Sequence, residues 1–283
     1  MSPCVNTGAR RASEGVKRLS HGYGRVALVS SGSRGIGAAT VRRLAGEGWD
    51  ISFCHHRDEQ AAVAAEKAAS ELGARVLAVQ ADITAAAEVA SWVRRAEDEL
   101  GPVEAVVSCT GITRDQPLAL LEDADWRAVI DTSLDGVFHL CRGVLPAMME
   151  RQSGRIVTVS SVSSVYGDAT DLGLGPARAG IIGFTRALAS QTRRYGIRAN
   201  AVAPAAHSGG RADTAAIWPE RTTPPLTEAI ALRRFASAAE AAGRVAFLLS
   251  DAAADITGTV VEVPGSIGLP IGVLVPGRLR ATE

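Results

Sequence analysis

Glycines at 32, 35 and 37 punctuate the segment Ser30-Ser31-Gly32-Ser33-Arg34-Gly35-Ile36-Gly37. An apolar run, Val26-Ala-Leu-Val-Ser30, precedes it, and a helical stretch to about Glu47 follows. A strand that feeds a glycine turn and then a helix is the geometry that places a pyrophosphate at a helix N-terminus. The glycines let the backbone approach the phosphates, and the first helical N–H groups point at them. A tight turn that only packs helix on strand is the plainer reading of the same glycines. The end of the next strand, Phe53-Cys54-His55-His56-Arg57, carries no acid to take a ribose 2′-hydroxyl. Arg34 and Arg57 could instead meet a 2′-phosphate. A dinucleotide bound here is therefore expected to be NADP(H) rather than NAD(H). The two histidines have no third ligand spaced nearby, so no metal site is expected.

A scaffold must hold these residues together. Short apolar runs at 51–54, 75–80, 103–108, 155–160, 197–203 and 257–263 read as further strands. Helices are expected over 58–72, with Asp58 and Glu59 at the positive end, and over 84–100, capped by Thr84 with Glu88 nearby. Others are expected over 123–150, interrupted around Gly136, and over 174–195 and 238–250. Strands that alternate with helices of this length imply right-handed βαβ units. The expected fold is α/β: a single doubly wound Rossmann-type domain over 24–266, with about seven parallel strands and helices on both faces. Residues 204–236, with Pro204, Pro219, Pro224 and Pro225, are too long for an ordinary connection and read as a substrate lid.

Composition narrows the function classes. Of 283 residues, 47% are hydrophobic, which supports a packed core and excludes global disorder. Thirty basic residues balance thirty acidic ones, so no basic field for nucleic acid exists. No run of 18 apolar residues suggests a membrane span. Residues 1–23 lack an apolar signal-like region; with Arg10, Arg11, Lys17 and Arg18 they read as a flexible basic tail. Cys4, Cys54, Cys109 and Cys141 form no paired motif and are expected to be reduced thiols of a cytoplasmic protein. Residues 267–283 form an apolar C-terminal tail, expected to pack on a second subunit.

Several motifs in order over roughly residues 24–265 resemble the short-chain dehydrogenase/reductase family. The nearest members are 3-oxoacyl-carrier-protein reductases and polyketide ketoreductases. The motifs are Ser-Arg-Gly-Ile-Gly37, Ala-Asp-Ile-Thr84, Gly-Ile-Thr-Arg-Asp115, Asp-Trp-Arg-Ala-Val-Ile-Asp131 and Gly-Arg-Ile-Val-Thr-Val-Ser-Ser161. Ala-Gly-Ile-Ile-Gly-Phe-Thr185, Gly-Ile-Arg-Ala-Asn-Ala-Val-Ala-Pro204, Ser-Asp-Ala-Ala253 and Ile-Thr-Gly258 follow. The resemblance implies a cofactor site of Ser31, Ser33, Arg34, Gly35, Ile36, Gly37, Arg57, Asp82, Gly111, Arg178 and Pro204. In it Asp82 lies beside the adenine, Gly35 and Gly37 beside the pyrophosphate, and Pro204 near the nicotinamide. It also implies a dimer or tetramer formed through the helices at 123–150 and 174–195.

Departures from the family pattern cluster at the chemistry. The Thr-Gly that opens the turn is Ser30-Ser31, Asn-Asn-Ala-Gly is Ser108-Cys109-Thr110-Gly111, and Pro-Gly is Pro204-Ala205. Of the tetrad asparagine, serine, tyrosine and lysine, only the serine survives, as Ser161; the others fall on Ser133, Leu174 and Arg178. Leucine has no proton to give to a carbonyl oxygen. Arg178 keeps a positive charge that can hydrogen-bond ribose hydroxyls, but it is a poor acid. Replacement acids can be sought at Tyr166, five residues after Ser161, and at His207, with Asp168 and Asp171 also near in sequence.

Three functions remain open on the residues. The first is NADPH-dependent reduction of a small-molecule or carrier-bound ketone, of 3-oxoacyl thioester or polyketide type, by a non-standard mechanism. The second is a catalytically inactive scaffold that pairs with an active paralogue. The third is a non-redox cyclase or dehydratase that reuses the cleft.

Overall fold

The computed structural model describes residues 24–114, 116, 118–166, 174–204, 207–208, 232–234 and 236–263. The tails at 1–23 and 267–283, most of the 204–236 segment, and Asp168 and Asp171 lie outside the described residues, as do the side chains of Tyr166 and His207.

Seven strands form one parallel sheet. They are β1 (Arg25–Val29), β2 (Trp49–His55), β3 (Val76–Gln80), β4 (Val103–Ser108), β5 (Gly154–Val159), β6 (Ile197–Pro204) and β9 (Val260–Val263). Their order is β3-β2-β1-β4-β5-β6-β9. The chain winds outward in one direction from β1 to β3, then returns to place β4 on the other side of β1. That reversal leaves a crevice at the carboxyl ends of β1 and β4, the place where open α/β sheets bind ligands.

Alternation along each strand builds two cores. In β1, Val26 and Leu28 face one layer with Trp92, Leu140, Met148 and Ile181, while Ala27 and Val29 face the other with Leu44, Trp49, Phe53 and Val245. The period of two in a strand buried on both faces explains its near-continuous apolar run. The first layer is carried by α3 (Ala86–Leu100), α5 (Gly136–Glu150) and α7 (Leu174–Thr192). The second is carried by α1 (Gly35–Gly46), α2 (Glu59–Ser70) and α8 (Ala238–Leu249). At the ends of the segment read as a lid, β7 (His207–Ser208) pairs in parallel with β8 (Ala236–Ser237).

Local expectations are met in part. Asp58 caps α2, its carboxylate accepting the Ala61 N–H at 3.0 Å. Thr84 does not cap α3, which starts at Ala86 after Ala85 with no side-chain cap. The Thr84 N–H and hydroxyl both donate to Asp82 Oδ1, at 2.9 and 2.8 Å, and Glu88 accepts the Asp82 N–H at 2.7 Å. Asp82 wins because its short carboxylate reaches the backbone two residues on, a turn that competes with the helix cap. The helix expected over 123–150 is α4 (Asp123–Ile130), a π-helical turn (Asp131–Asp135) and α5. The interruption ends at Gly136, where a Cβ would lie 2.9 Å from two Ile83 carbons. A π-turn inside a helix pushes its residues out of register, a distortion frequent at functional sites.

Candidate active site at the carboxyl ends of the strands

The glycine turn leaves β1 with no room for side chains. A Cβ on Gly32 would lie 2.9 Å from Phe53 Cδ2 and closer still to the start of that side chain. A Cβ on Gly37 would lie 2.8 Å from the Ser31 carbonyl carbon. Gly35 has φ +54°, a conformation that glycine adopts without steric penalty. Helix α1 starts there after Arg34, which supplies no side-chain cap, and no acidic residue lies in the first turn. The turn is thus packed too tightly for side chains at 32 and 37, and it delivers the chain to helical N–H groups without a side-chain cap. A pyrophosphate fits such a helix start on charge and on donors. Ser33 is half-buried beside it, whereas Ile36 turns into the core and offers only its backbone.

Ser31 also has φ +54°. The left-handed region disfavours L-residues, so Ser31→Gly is expected to stabilise the fold by about 0.5–1 kcal/mol, after the larger unfolded-state entropy of glycine is deducted. Urea unfolding of the two proteins tests this; equal stability would show that the strain is relieved elsewhere.

Two departures noted in the sequence turn out to touch. Ser30 Oγ accepts from Cys109 N at 3.0 Å, Thr110 N at 3.2 Å and Thr110 Oγ1 at 2.7 Å, and Ser30 N donates to Val107 O at 2.9 Å. The hydroxyl therefore ties the end of β1 to the loop after β4, across the crevice. The hydroxyls of Ser30 and Thr110 are complementary groups that hold the turn and the loop together. Local sequence carries no trace of this pairing.

At the far end of the crevice, Asp82 accepts both Thr84 bonds and lies 3.8 Å from His56 Nε2. Partial burial pushes its pKa up, but the Thr84 hydrogen bonds and the charges of His56 and Arg57 outweigh this and hold it below the usual carboxylate value. Arg34, with a side chain 72% exposed, lies 3.6 Å from Asp58, and Arg57 is exposed. The basic group the sequence reading missed is His56, weighed there only as a metal ligand. Its place directly before Arg57 at the end of β2 was the available signal. Among the described residues no three His, Cys, Asp or Glu side chains are placed to hold a metal. Burial pushes the Cys54, Cys109 and Cys141 thiols up to about 12, so they stay protonated at neutral pH.

The four tetrad positions take different environments. Ser161 follows β5 and is half-buried; its carbonyl accepts the Ser164 hydroxyl in α6 (Ser163–Tyr166). Ser133 sits in the π-turn, fully buried, its hydroxyl without a hydrogen-bond partner among the described residues. Leu174 opens α7, and Arg178 stands one turn on, on the same face. The Arg178 guanidinium is buried: it donates to the Val159 carbonyl and lies against Gly111. Pro204 ends β6, buried, its carbonyl accepting Val162 N at 3.1 Å. Tyr166 is the last residue of α6.

Known proteins resemble this chain over most of its length. The family model described as enoyl-(acyl carrier protein) reductase matches residues 31–265. A 3-oxoacyl-[acyl-carrier-protein] reductase of Synechocystis sp. is 35% identical over 243 residues, 86% of this chain and 96% of the relative. An acetoacetyl-CoA reductase of Allochromatium vinosum is 33% identical over 246 residues, 86% and 98% of the two chains. A crystal structure of a variant actinorhodin polyketide ketoreductase with NADPH superposes with a TM-score of 0.82 at 31% identity, covering 86% of this chain and 97% of that one. The winding of the sheet, the glycine turn at its switch point and these likenesses agree: the chain belongs to the short-chain dehydrogenase/reductase family, as a ketoreductase-like member.

Proposed function

We propose that this chain binds NADP(H) across the ends of β1, β2 and β4 and reduces the ketone of a 3-oxoacyl thioester or polyketide, with a proton drawn from a source other than residue 174. The observation that carries the reading is the start of α1 at the switch point of the sheet: its N–H groups have no side-chain cap and no acidic residue lies in its first turn. Gly35, Gly37 and the backbone of Ser31, Ser33 and Ile36 would hold the pyrophosphate. Asp82 would meet the adenine, and Arg34 and Arg57 a 2′-phosphate. When bound, the cofactor supplies the hydride.

The residues of the chain do the rest. The Ser161 hydroxyl, half-buried at the end of β5, orients a carbonyl oxygen by hydrogen bonding. A serine hydroxyl alone is too weak an acid to deliver the proton, so the proton comes from Tyr166, His207, solvent or the substrate itself. Tyr166→Phe and His207→Gln separate these sources by their effect on kcat.

A second reading follows from Leu174. An apolar side chain stands where the family places its acid, on the same helix face as a buried arginine. In this reading the chain is an inactive subunit that pairs with an active relative, most simply through α4, α5 and α7.

Calorimetric titration of the purified protein with NADPH and with NADH tests the first reading. Binding of NADPH in the micromolar range, and weaker binding of NADH, is the expected result. No binding of either up to millimolar concentration overturns the reductase reading for the isolated chain and leaves the partner-subunit reading.

A further inference from the structure

Arg178 does not stand where a ribose ligand would stand free to serve. Only 8% of the residue is exposed. Its Nη1 donates to the carbonyl of Val159, the last residue of β5. The rest of the guanidinium packs against Gly111, in the loop after β4, with Nη2 nearest. A Cβ on Gly111 would lie 3.0 Å from Arg178 Cζ, 3.5 Å from Nε and closer still to Nη2. Both sides of this contact are fixed. Ser160 Oγ donates to the Arg178 carbonyl at 2.9 Å, and Thr110, next to Gly111, is held by Ser30. A guanidinium suits the place because one end of its fork can pack on a peptide while the other donates to a carbonyl, which an ammonium cannot do.

The consequence is a crevice with two unlike halves. On the β1 and β2 side no side chain caps the N–H groups that open α1. On the β4 and β5 side the bed of Gly111 is covered by a buried cation that already has a carbonyl partner. A ligand group that takes this bed must displace the cation, and a ribose hydroxyl is a weaker acceptor than the carbonyl it would replace.

We propose that Arg178 closes the nicotinamide-ribose half of the crevice in the resting protein. The site then admits the adenosine and phosphate half of a dinucleotide, and the nicotinamide half enters only when the guanidinium leaves Gly111 and Val159. This inference takes its ligand from the NADP(H) reading above; the Arg178–Gly111 contact itself stands apart from that reading.

The test compares NADPH with adenosine 2′,5′-bisphosphate, which carries only groups of the adenosine and phosphate half. In the unaltered chain the two should bind within about threefold of each other, because the nicotinamide half adds little net affinity. Arg178→Lys should tighten NADPH by about tenfold or more and leave the bisphosphate unchanged. A preference of more than about tenfold for NADPH in the unaltered chain overturns the inference and leaves the dinucleotide reading intact. So does Arg178→Lys that fails to tighten NADPH. Binding of neither ligand overturns both. A second measurement needs no ligand: Gly111→Ala should lower Tm in the unaltered chain and lower it less in an Arg178→Ala background. Equal losses in the two backgrounds would show that the guanidinium does not rest on Gly111, and would overturn the closure with it.

Discussion

Leu174→Tyr combined with Arg178→Lys is expected to raise NADPH-dependent ketone reduction by about 10²–10⁴-fold, the range that a positioned general acid supplies. That is roughly 3–5 kcal/mol of barrier at 1.36 kcal/mol per decade. Leu174 and Arg178 lie on one face of α7, a turn apart, so a phenol at 174 would stand beside an ammonium at 178. The ammonium lowers the phenol pKa and readies its proton. Leu174→Tyr alone should gain less, because the Arg178 guanidinium stays engaged with Val159 and Gly111. The assay is kcat with acetoacetyl-CoA, followed by NADPH oxidation. Absence of any gain in a folded double variant that binds NADPH would show that residues 174 and 178 do not limit the reaction, and would turn the search to the buried Ser133 in the π-turn and to Ala205.

Trp92→Ala is expected to destabilise the protein by about 3–5 kcal/mol, the range for truncating a large buried aromatic side chain. For a domain of this size that lowers Tm by about 2–4 °C per kcal/mol. Trp92 is 1% exposed and packs from α3 against β2. Its Nε1 donates at 2.8 Å to Ser52 Oγ, which donates in turn at 3.1 Å to Leu77 O. Truncation therefore opens a cavity and removes the donor to a buried hydroxyl, two losses that add. Trp92→Phe keeps most of the volume and loses only the donor, so its effect should be about 1–3 kcal/mol. Thermal and urea unfolding of the three proteins measure this order; equal losses for Ala and Phe would assign the whole effect to the hydrogen bond. Trp92 lies in the layer across the sheet from Phe53, the side chain that packs on Gly32. NADPH affinity should accordingly be kept by whichever variant stays folded.

Features encoded by a local period or a local conformational demand were legible in the residues alone. Alternation in Val26-Ala-Leu-Val-Ser30 specified a strand buried on both faces, because neighbouring side chains in a strand must point to opposite layers. The glycines at 32, 35 and 37 marked the turn, because each either takes positive φ or meets another group where a Cβ would be. A spacing of four put Leu174 and Arg178 on one helix face.

Contacts between segments far apart in the chain were decided only by the tertiary structure. Ser30 reaches Thr110 across 80 positions, and nothing in either segment alone distinguishes a worn motif from a matched pair. His56 faces Asp82 because β2 and β3 lie side by side. Thr84 donates to Asp82 and does not accept from the helix it precedes, because the turn at Asp82 fixes where its hydroxyl lies. Arg178 shows the difference most fully. Its charge and its face on the helix were fixed by sequence. Whether that charge points at a ligand or at the protein's own Val159 carbonyl depended on the free space over Gly111, which exists only once β4, β5 and α7 have come together.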